Sequence, residues 1–192
     1  MLGILSATAA MLWFGIIVLL HFINPEIDPC TRMISEYACA PRGWIMQIAF
    51  FCMAVSCWAL AATTWKSQPV IGPVLLVLCG VGFAGAGVFV TDPILPTERT
   101  QTCGGVLHIL FAVAVMLMFP LMATFVAGNM AETPARPWLL ALAALTWAGL
   151  LSFMFAMFRS VGRPQTAIGY FERFLVLTFT LWLAATALAT VG

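Results

Sequence analysis

The apolar residues of this chain are gathered into six long blocks, and its polar residues are concentrated in the segments between them. Each block is close to the roughly 20 residues that an α-helix needs to cross a membrane. Open β-strands are excluded, because lipid cannot satisfy their backbone hydrogen-bonding groups. The pattern predicts an all-α integral membrane protein in which residues 1–192 form a single domain, a six-transmembrane-helix bundle. Its helices are predicted over about 2–24, 43–65, 70–91, 104–128, 137–158 and 168–190.

The composition agrees with a membrane protein. Only 8% of the residues are charged and 63% are hydrophobic, whereas a soluble domain carries about 25% charged residues. The net charge of +1 and the lack of a basic cluster argue against a nucleic-acid partner. No Lys or Arg precedes the first block, which ends in Asn-Pro rather than at small residues, so we expect no cleavable signal peptide.

The connections between the predicted helices differ in length and polarity. Loops one (25–42) and three (92–103) are long and polar, and loop five (159–166) contains two arginines. Loops two and four are turns rich in helix-breaking residues. Because the chain alternates direction, loops one, three and five share one membrane face, here called the odd-loop face. The even-loop face carries loops two and four and both ends of the chain.

Small residues recur at helical spacing in the third block, at Gly80, Ala84 and Gly87. Such a stripe lets neighbouring helices approach closely. We therefore expect the third helix to be packed inside the bundle. Asp92, at its predicted end, should then face other parts of the protein rather than lipid.

The few ionisable residues in or beside the apolar blocks all fall near the odd-loop face. They are His21, Asp92, His108, Glu172 and Arg173. A charge at the centre of a membrane helix costs about 2.5–3.5 kcal/mol on insertion scales and less near the interface, so partners are expected. Asp92 with Arg173, and Glu172 with His108, are compatible pairs.

These polar residues permit a structural and a functional interpretation. In the structural one they hydrogen-bond helix ends and tie loop one down. In the functional one they line a pocket, roofed by loops one and three, for a lipid or other amphipathic molecule. The predicted ligand-binding residues are Asp28, Glu36, Glu172 and Arg173.

Three kinds of chemistry are compatible with the same residues. Ser35, Asp92 and His108 have the residue types of a hydrolase trio, although the chain has no GxSxG nucleophile motif. His21, Asp92 and His108 could instead hold a divalent metal that activates water. His21 and His108 could ligate one haem. We expect no cofactor, and keep the metal and the haem as alternatives.

Four sequence blocks carry a resemblance to a known family. They are DPCTRMIS (28–35), GAGVFVTDP (85–93), GGVLH (104–108) and GYFERFLVLTFTLWL (169–183). With them the chain resembles a bacterial membrane family catalogued as a domain of unknown function, number 998. The resemblance implies six helices in the bacterial inner membrane, odd-numbered loops outside and both ends in the cytoplasm. It implies no particular activity.

The basic residues favour the opposite orientation. Loops on the odd-loop face contain Arg32, Arg42, Arg99, Arg159 and Arg163, against Lys66 and Arg136 on the other face. The positive-inside rule would place the richer face in the cytoplasm. We favour the orientation of the family. Outside the cytoplasm Cys30 and Cys39 can form a disulfide that closes loop one, whereas cytoplasmic placement predicts free thiols.

A non-catalytic role is the main alternative to lipid binding or processing. The small size and the lack of a soluble domain suit an accessory subunit of a larger membrane complex, with a membrane-protein partner. A small transporter ranks last, because the sequence shows no repeat and no charge at the membrane midplane.

Overall fold

The computed structural model describes residues 1–93, 101–160 and 166–191. Each of its six α-helices is long and apolar enough to cross a membrane, which confirms the predicted all-α membrane fold. Loop one contains a 3₁₀ helix, Ile34–Cys39, that the sequence pattern did not predict. The α-helices are α1 (Leu2–Ile23), α2 (Trp44–Thr64), α3 (Ile71–Val88), α4 (Cys103–Gly128), α5 (Arg136–Ser160) and α6 (Ile168–Ala189).

The helices pack in chain order into a closed ring. Each helix contacts the next one along the chain, α6 returns to α1, and α6 also contacts α2 and α4. The ring of Phe119 on α4 stacks on Phe179 of α6 with centroids 4.0 Å apart, and meets Trp182 of α6 edge-on at 5.9 Å. Helix α6, which carries Glu172 and Arg173, therefore contacts four of the other five helices, α1, α2, α4 and α5.

The glycines of α3 accommodate side chains from the helices on either side. A Cβ added at Gly80 would collide with the Trp58 indole of α2, and one at Gly85 with the Phe111 ring of α4. The predicted close packing of this helix is confirmed. Its cause is different, because here the small residues make room for aromatic rings more than for neighbouring backbones.

Helix α3 ends at Val88, three residues before the predicted end at residue 91. Phe89 has an extended backbone, with φ of −93° and ψ of 118°, so Asp92 lies in an extended segment beyond the helix. The remaining helix ends lie within two residues of their predicted positions. Arg99 and Arg163, which entered the charge count, lie outside the described residues.

Candidate functional site

Arg173 joins three parts of the odd-loop face. Its Nε donates to Nε2 of His21 on α1 at 2.8 Å, and its Nη1 donates to the carbonyl of Arg32 in loop one at 2.8 Å. Nη2 lies 3.4 Å from the hydroxyl of Tyr37, whose ring is 5.9 Å from the guanidinium carbon. Arg173 thus cross-links α1, α6 and loop one. The predicted pairing of Arg173 with Asp92 is not formed.

His21 accepts a hydrogen bond from Arg173. Its Nδ1 lies 2.6 Å from the carbonyl oxygen of Ile17, which can only accept, so Nδ1 carries the proton. Nε2 is then the nitrogen that accepts from Arg173. Because both ring nitrogens are in use, coordination of iron or a divalent metal by His21 would break one of these hydrogen bonds.

Glu172 and Gly169 seat the backbone of loop one on the first turns of α6. The buried carboxylate of Glu172 accepts from the N–H of Ile34 at 2.5 Å. The N–H of Gly169 donates to the carbonyl of Cys30 at 2.8 Å. A Cβ on Gly169 would collide with the carbonyl oxygens of Pro29 and Arg32. Glu172 is therefore bound to loop one. The predicted pairing of Glu172 with His108 is not formed.

The two predicted ligand-binding residues of loop one help to fold the loop itself. Glu36, which is fully buried, forms an ion pair with Arg32 at 2.8 Å and accepts from the N–H of Met33 at 2.9 Å. Exposed Asp28 accepts from the N–H of Cys30 at 3.0 Å and from the Thr31 hydroxyl at 2.8 Å. These hydrogen bonds, first that from Cys30, lower the pKa of Asp28.

His108 caps the C-terminal end of α3. Its Nδ1 lies 2.9 Å from the carbonyl of Ala86 and 2.8 Å from that of Phe89, and donates to both oxygens. The last carbonyls of a helix lack partners within the helix and need such donors. The ring is 3% exposed and packs edge-on against Phe50 of α2. These contacts give His108 a structural role.

Asp92 ties the two ends of loop three together. Its carboxylate accepts from the N–H of Thr102 at 2.9 Å and from the Thr102 hydroxyl at 2.8 Å. The Thr102 hydroxyl in turn accepts from the N–H of Gly105 and so caps α4. The bonds from Thr102, first that from its backbone N–H, lower the pKa of Asp92.

The structure does not assemble the predicted catalytic or metal-binding sets. Within the described part of the chain, no hydrogen bond joins any two of Ser35, Asp92 and His108. Ser35 lies in the 3₁₀ helix and is 8% exposed. Nor do the described residues contain three or more His, Cys, Asp or Glu side chains arranged to hold a metal ion. The residue types and their predicted depths in the membrane suggested that these side chains meet, but each of Asp92 and His108 hydrogen-bonds to other groups.

The disulfide suggested for loop one is not formed in this structure. Cys30 and Cys39 are both free thiols. The Cys39 sulfur instead donates to the carbonyl of Thr91, which follows α3, at 3.2 Å. Partial burial of the thiol raises the pKa of Cys39.

An open groove lies near the even-loop face, between the end of α2 and the start of α3. It has a volume of about 460 Å³ and is lined by Trp58, Ala61, Ala62, Thr63, Trp65, Lys66 and Val77. One wall is held in place, since Nε1 of Trp58 donates to the carbonyl of Val77 at 3.2 Å and its ring occupies the space that Gly80 leaves open.

The sequence pattern did not predict this groove. Its signal was a pair of tryptophans seven residues apart, Trp58 and Trp65, followed at once by Lys66 at the end of a predicted helix. Tryptophan and lysine at such positions are typical of the membrane–water interface. The sequence predicts loop two only as a turn, because it is rich in helix-breaking residues.

Comparison with known proteins gives one family. Residues 7–189 match the family described as Protein of unknown function (DUF998). No curated protein and no solved structure matches the chain. The match includes most of α1 and the whole of the other five helices, so it concerns the bundle rather than a single motif.

Proposed function

The chain belongs to the family described as Protein of unknown function (DUF998), and we propose that it binds a membrane lipid or similar amphipathic molecule in the groove between α2 and α3. The observation that carries the proposal is the shape of this groove. Trp58 and Val77 lie six residues inside the ends of their helices, which is about 9 Å below the helix ends. Lys66 lies just beyond the last residue of α2. The groove therefore suits an apolar tail at one end and a polar headgroup at the other.

We propose binding rather than processing. At the odd-loop face, Arg173, Glu172 and His108 hydrogen-bond to backbone or side-chain groups of the protein. A ligand placed among them would have to displace those contacts. The structural interpretation of this polar cluster thus has the support of its hydrogen bonds, and the lipid site is assigned to the opposite end of the bundle.

The proposed orientation is that of the family resemblance, with the odd-loop face outside the bacterial inner membrane and the groove opening towards the cytoplasm. Arg32, which contributed to the opposing charge count, is ion-paired with Glu36 inside folded loop one. An impermeant maleimide tests this with Lys66→Cys in a variant lacking the other cysteines. We expect labelling only after the cells are opened, and labelling of intact cells would overturn the orientation.

Native mass spectrometry in a mild detergent tests lipid binding. Ala62 lines the groove and is exposed, so Ala62→Trp should fill it and remove co-purifying lipid. Ala141→Trp is the matched control, because Ala141 is an exposed alanine in the half of α5 nearest the same face. Equal lipid retention by the two variants would overturn the proposal. If a protein partner and no lipid remained with the wild-type chain, the accessory-subunit role would replace it.

A further inference from the structure

We infer that the groove selects an anionic phospholipid, with Lys66 as the residue that binds the phosphate-bearing headgroup. This inference rests on the proposed function, since it identifies the ligand of the same groove. The charge and the position of Lys66 indicate the headgroup, which the shape of the groove alone does not determine.

Lys66 is the basic side chain available at the even-loop face. It is exposed, and no described residue forms an ion pair or a hydrogen bond with it. Arg136, the other basic residue at this face, is ion-paired with Glu132 and donates to the carbonyl of Gly128 at 3.0 Å. An anion that approaches this face therefore meets an unpaired ammonium group at the mouth of the groove.

The position of Lys66 matches the level of lipid headgroups. Trp65, which is 49% exposed, precedes it directly, and Trp58 lies two helical turns deeper. Tryptophan rings settle at the membrane interface, and a lysine near a helix end extends its ammonium group towards the headgroups. A phosphate bound to Lys66 would leave its acyl chains directed along Trp58 and Val77.

The lining of the groove favours an anionic over a zwitterionic headgroup. Choline and ethanolamine headgroups carry their own cation, which needs an anionic or aromatic partner. The residues that line the groove include no carboxylate. Of its two aromatic rings, that of Trp58 is fixed against α3 below the mouth, and that of Trp65 belongs to the residue directly before the cationic Lys66. The ammonium of Lys66 would repel a second cation at this point, so a headgroup with net negative charge is preferred.

Titration of the detergent-solubilised protein with phosphatidylglycerol and with phosphatidylcholine of the same acyl chains tests this inference, with bound lipid counted by native mass spectrometry. The wild-type protein should bind phosphatidylglycerol more tightly. Lys66→Gln should weaken phosphatidylglycerol binding by about fivefold, the contribution of one lysine near an anionic surface. Binding of phosphatidylcholine should stay unchanged. Lys66→Arg should keep the preference.

Arg42→Gln is the matched control, since Arg42 is exposed at the opposite face and should leave both affinities unchanged. If Lys66→Gln keeps the wild-type preference while Ala62→Trp abolishes binding of both lipids, the headgroup assignment is overturned and the proposed function stands. If Ala62→Trp leaves binding of both lipids intact, the proposed function itself fails. The unfolding temperature of each variant shows that it is folded.

Discussion

The two ends of the bundle use their polar residues in opposite ways. At the odd-loop face, Arg173 and Glu172 hold loop one against α1 and α6. At the even-loop face, Lys66 borders an open groove and has no partner among the described residues. The polar cluster at the odd-loop face thus hydrogen-bonds within the protein, whereas the ammonium group of Lys66 is available to a ligand. A group of ionisable residues indicates a ligand site only when its donors and acceptors are available.

The largest effect should come from Arg173→Met. This change removes the donor shared by His21 and the Arg32 carbonyl, and with it the link that Arg173 makes between α1, α6 and loop one. Because hydrogen bonds from a charged group are strong, we expect a loss of about 3 kcal/mol in the free energy of unfolding. Loop one should also become sensitive to protease. Lipid binding at the groove should persist in the folded fraction, and its loss there would show that the two faces are coupled.

Gly169→Ala should give the next largest effect, through the contact between α6 and loop one. The added methyl group would meet the carbonyls of Pro29 and Arg32, so we expect destabilisation of about 1–3 kcal/mol. Gly15→Ala is the control, because no atom lies within 4 Å of a Cβ at Gly15 on α1. That control should be neutral or stabilise by about 0.5–1 kcal/mol. Equal unfolding temperatures for the two variants would mean that loop one is not seated on Gly169.

Gly80→Ala tests the groove in the same manner and with a smaller effect on stability. A methyl group there would displace the Trp58 indole and break its hydrogen bond to Val77, at a cost of about 1 kcal/mol. Lipid retention in native mass spectrometry should fall, while loop one keeps its protease resistance. Gly128→Ala, at a site with nothing within 4 Å, should change neither property. Unchanged lipid retention in Gly80→Ala would show that the position of Trp58 does not matter for lipid binding.

Acid should weaken loop three at Asp92, and this is the smallest expected effect. The folded pKa of Asp92 is lowered, first by the N–H of Thr102, so its stabilising contribution is present above the ordinary carboxyl pKa of about 4. That contribution is lost as the pH falls through the lower, folded pKa.

The difference in unfolding temperature between wild type and Asp92→Asn should therefore be present at pH 6 and close below about pH 4. Glu26→Gln, at an exposed position in loop one, controls for the general loss of a negative charge. A difference that does not depend on pH would show that the Asp92 carboxylate is not held by Thr102 in its charged form.

The bundle could be predicted from the sequence because block length and apolar content suffice to identify membrane helices. The end of α3 was predicted less accurately, since Phe89 is as apolar as the helix although its backbone is extended and its carbonyl bonds to His108. The depth of each polar residue was also predictable from the order of helices and loops. Residues at the same depth lie at one level of the membrane, but equal depth does not determine which of them are in contact.

The partners of the polar residues depended on features that a hydropathy pattern does not contain. The 3₁₀ helix of loop one presents the N–H of Ile34 to Glu172, so a backbone group takes the place expected for His108. The sequence predicts no pairing of His21 with Arg173, yet Nε2 of His21 accepts a hydrogen bond from Arg173. The groove was missed for a related reason, because Trp58 and Lys66 belong to a helix and a turn with no other charged residue.

A photo-crosslinking phosphatidylglycerol, with a diazirine in its acyl chain, shows which end of the bundle binds the lipid. After irradiation of the protein in membranes, mass spectrometry of proteolytic fragments locates the attached lipid. We expect labelling to be concentrated at residues 58–66 and at Val77, and to fall in Lys66→Gln and Ala62→Trp. Labelling concentrated instead around His21, loop one and the first turns of α6, and unaffected by both variants, would contradict it and return the lipid site to the odd-loop face.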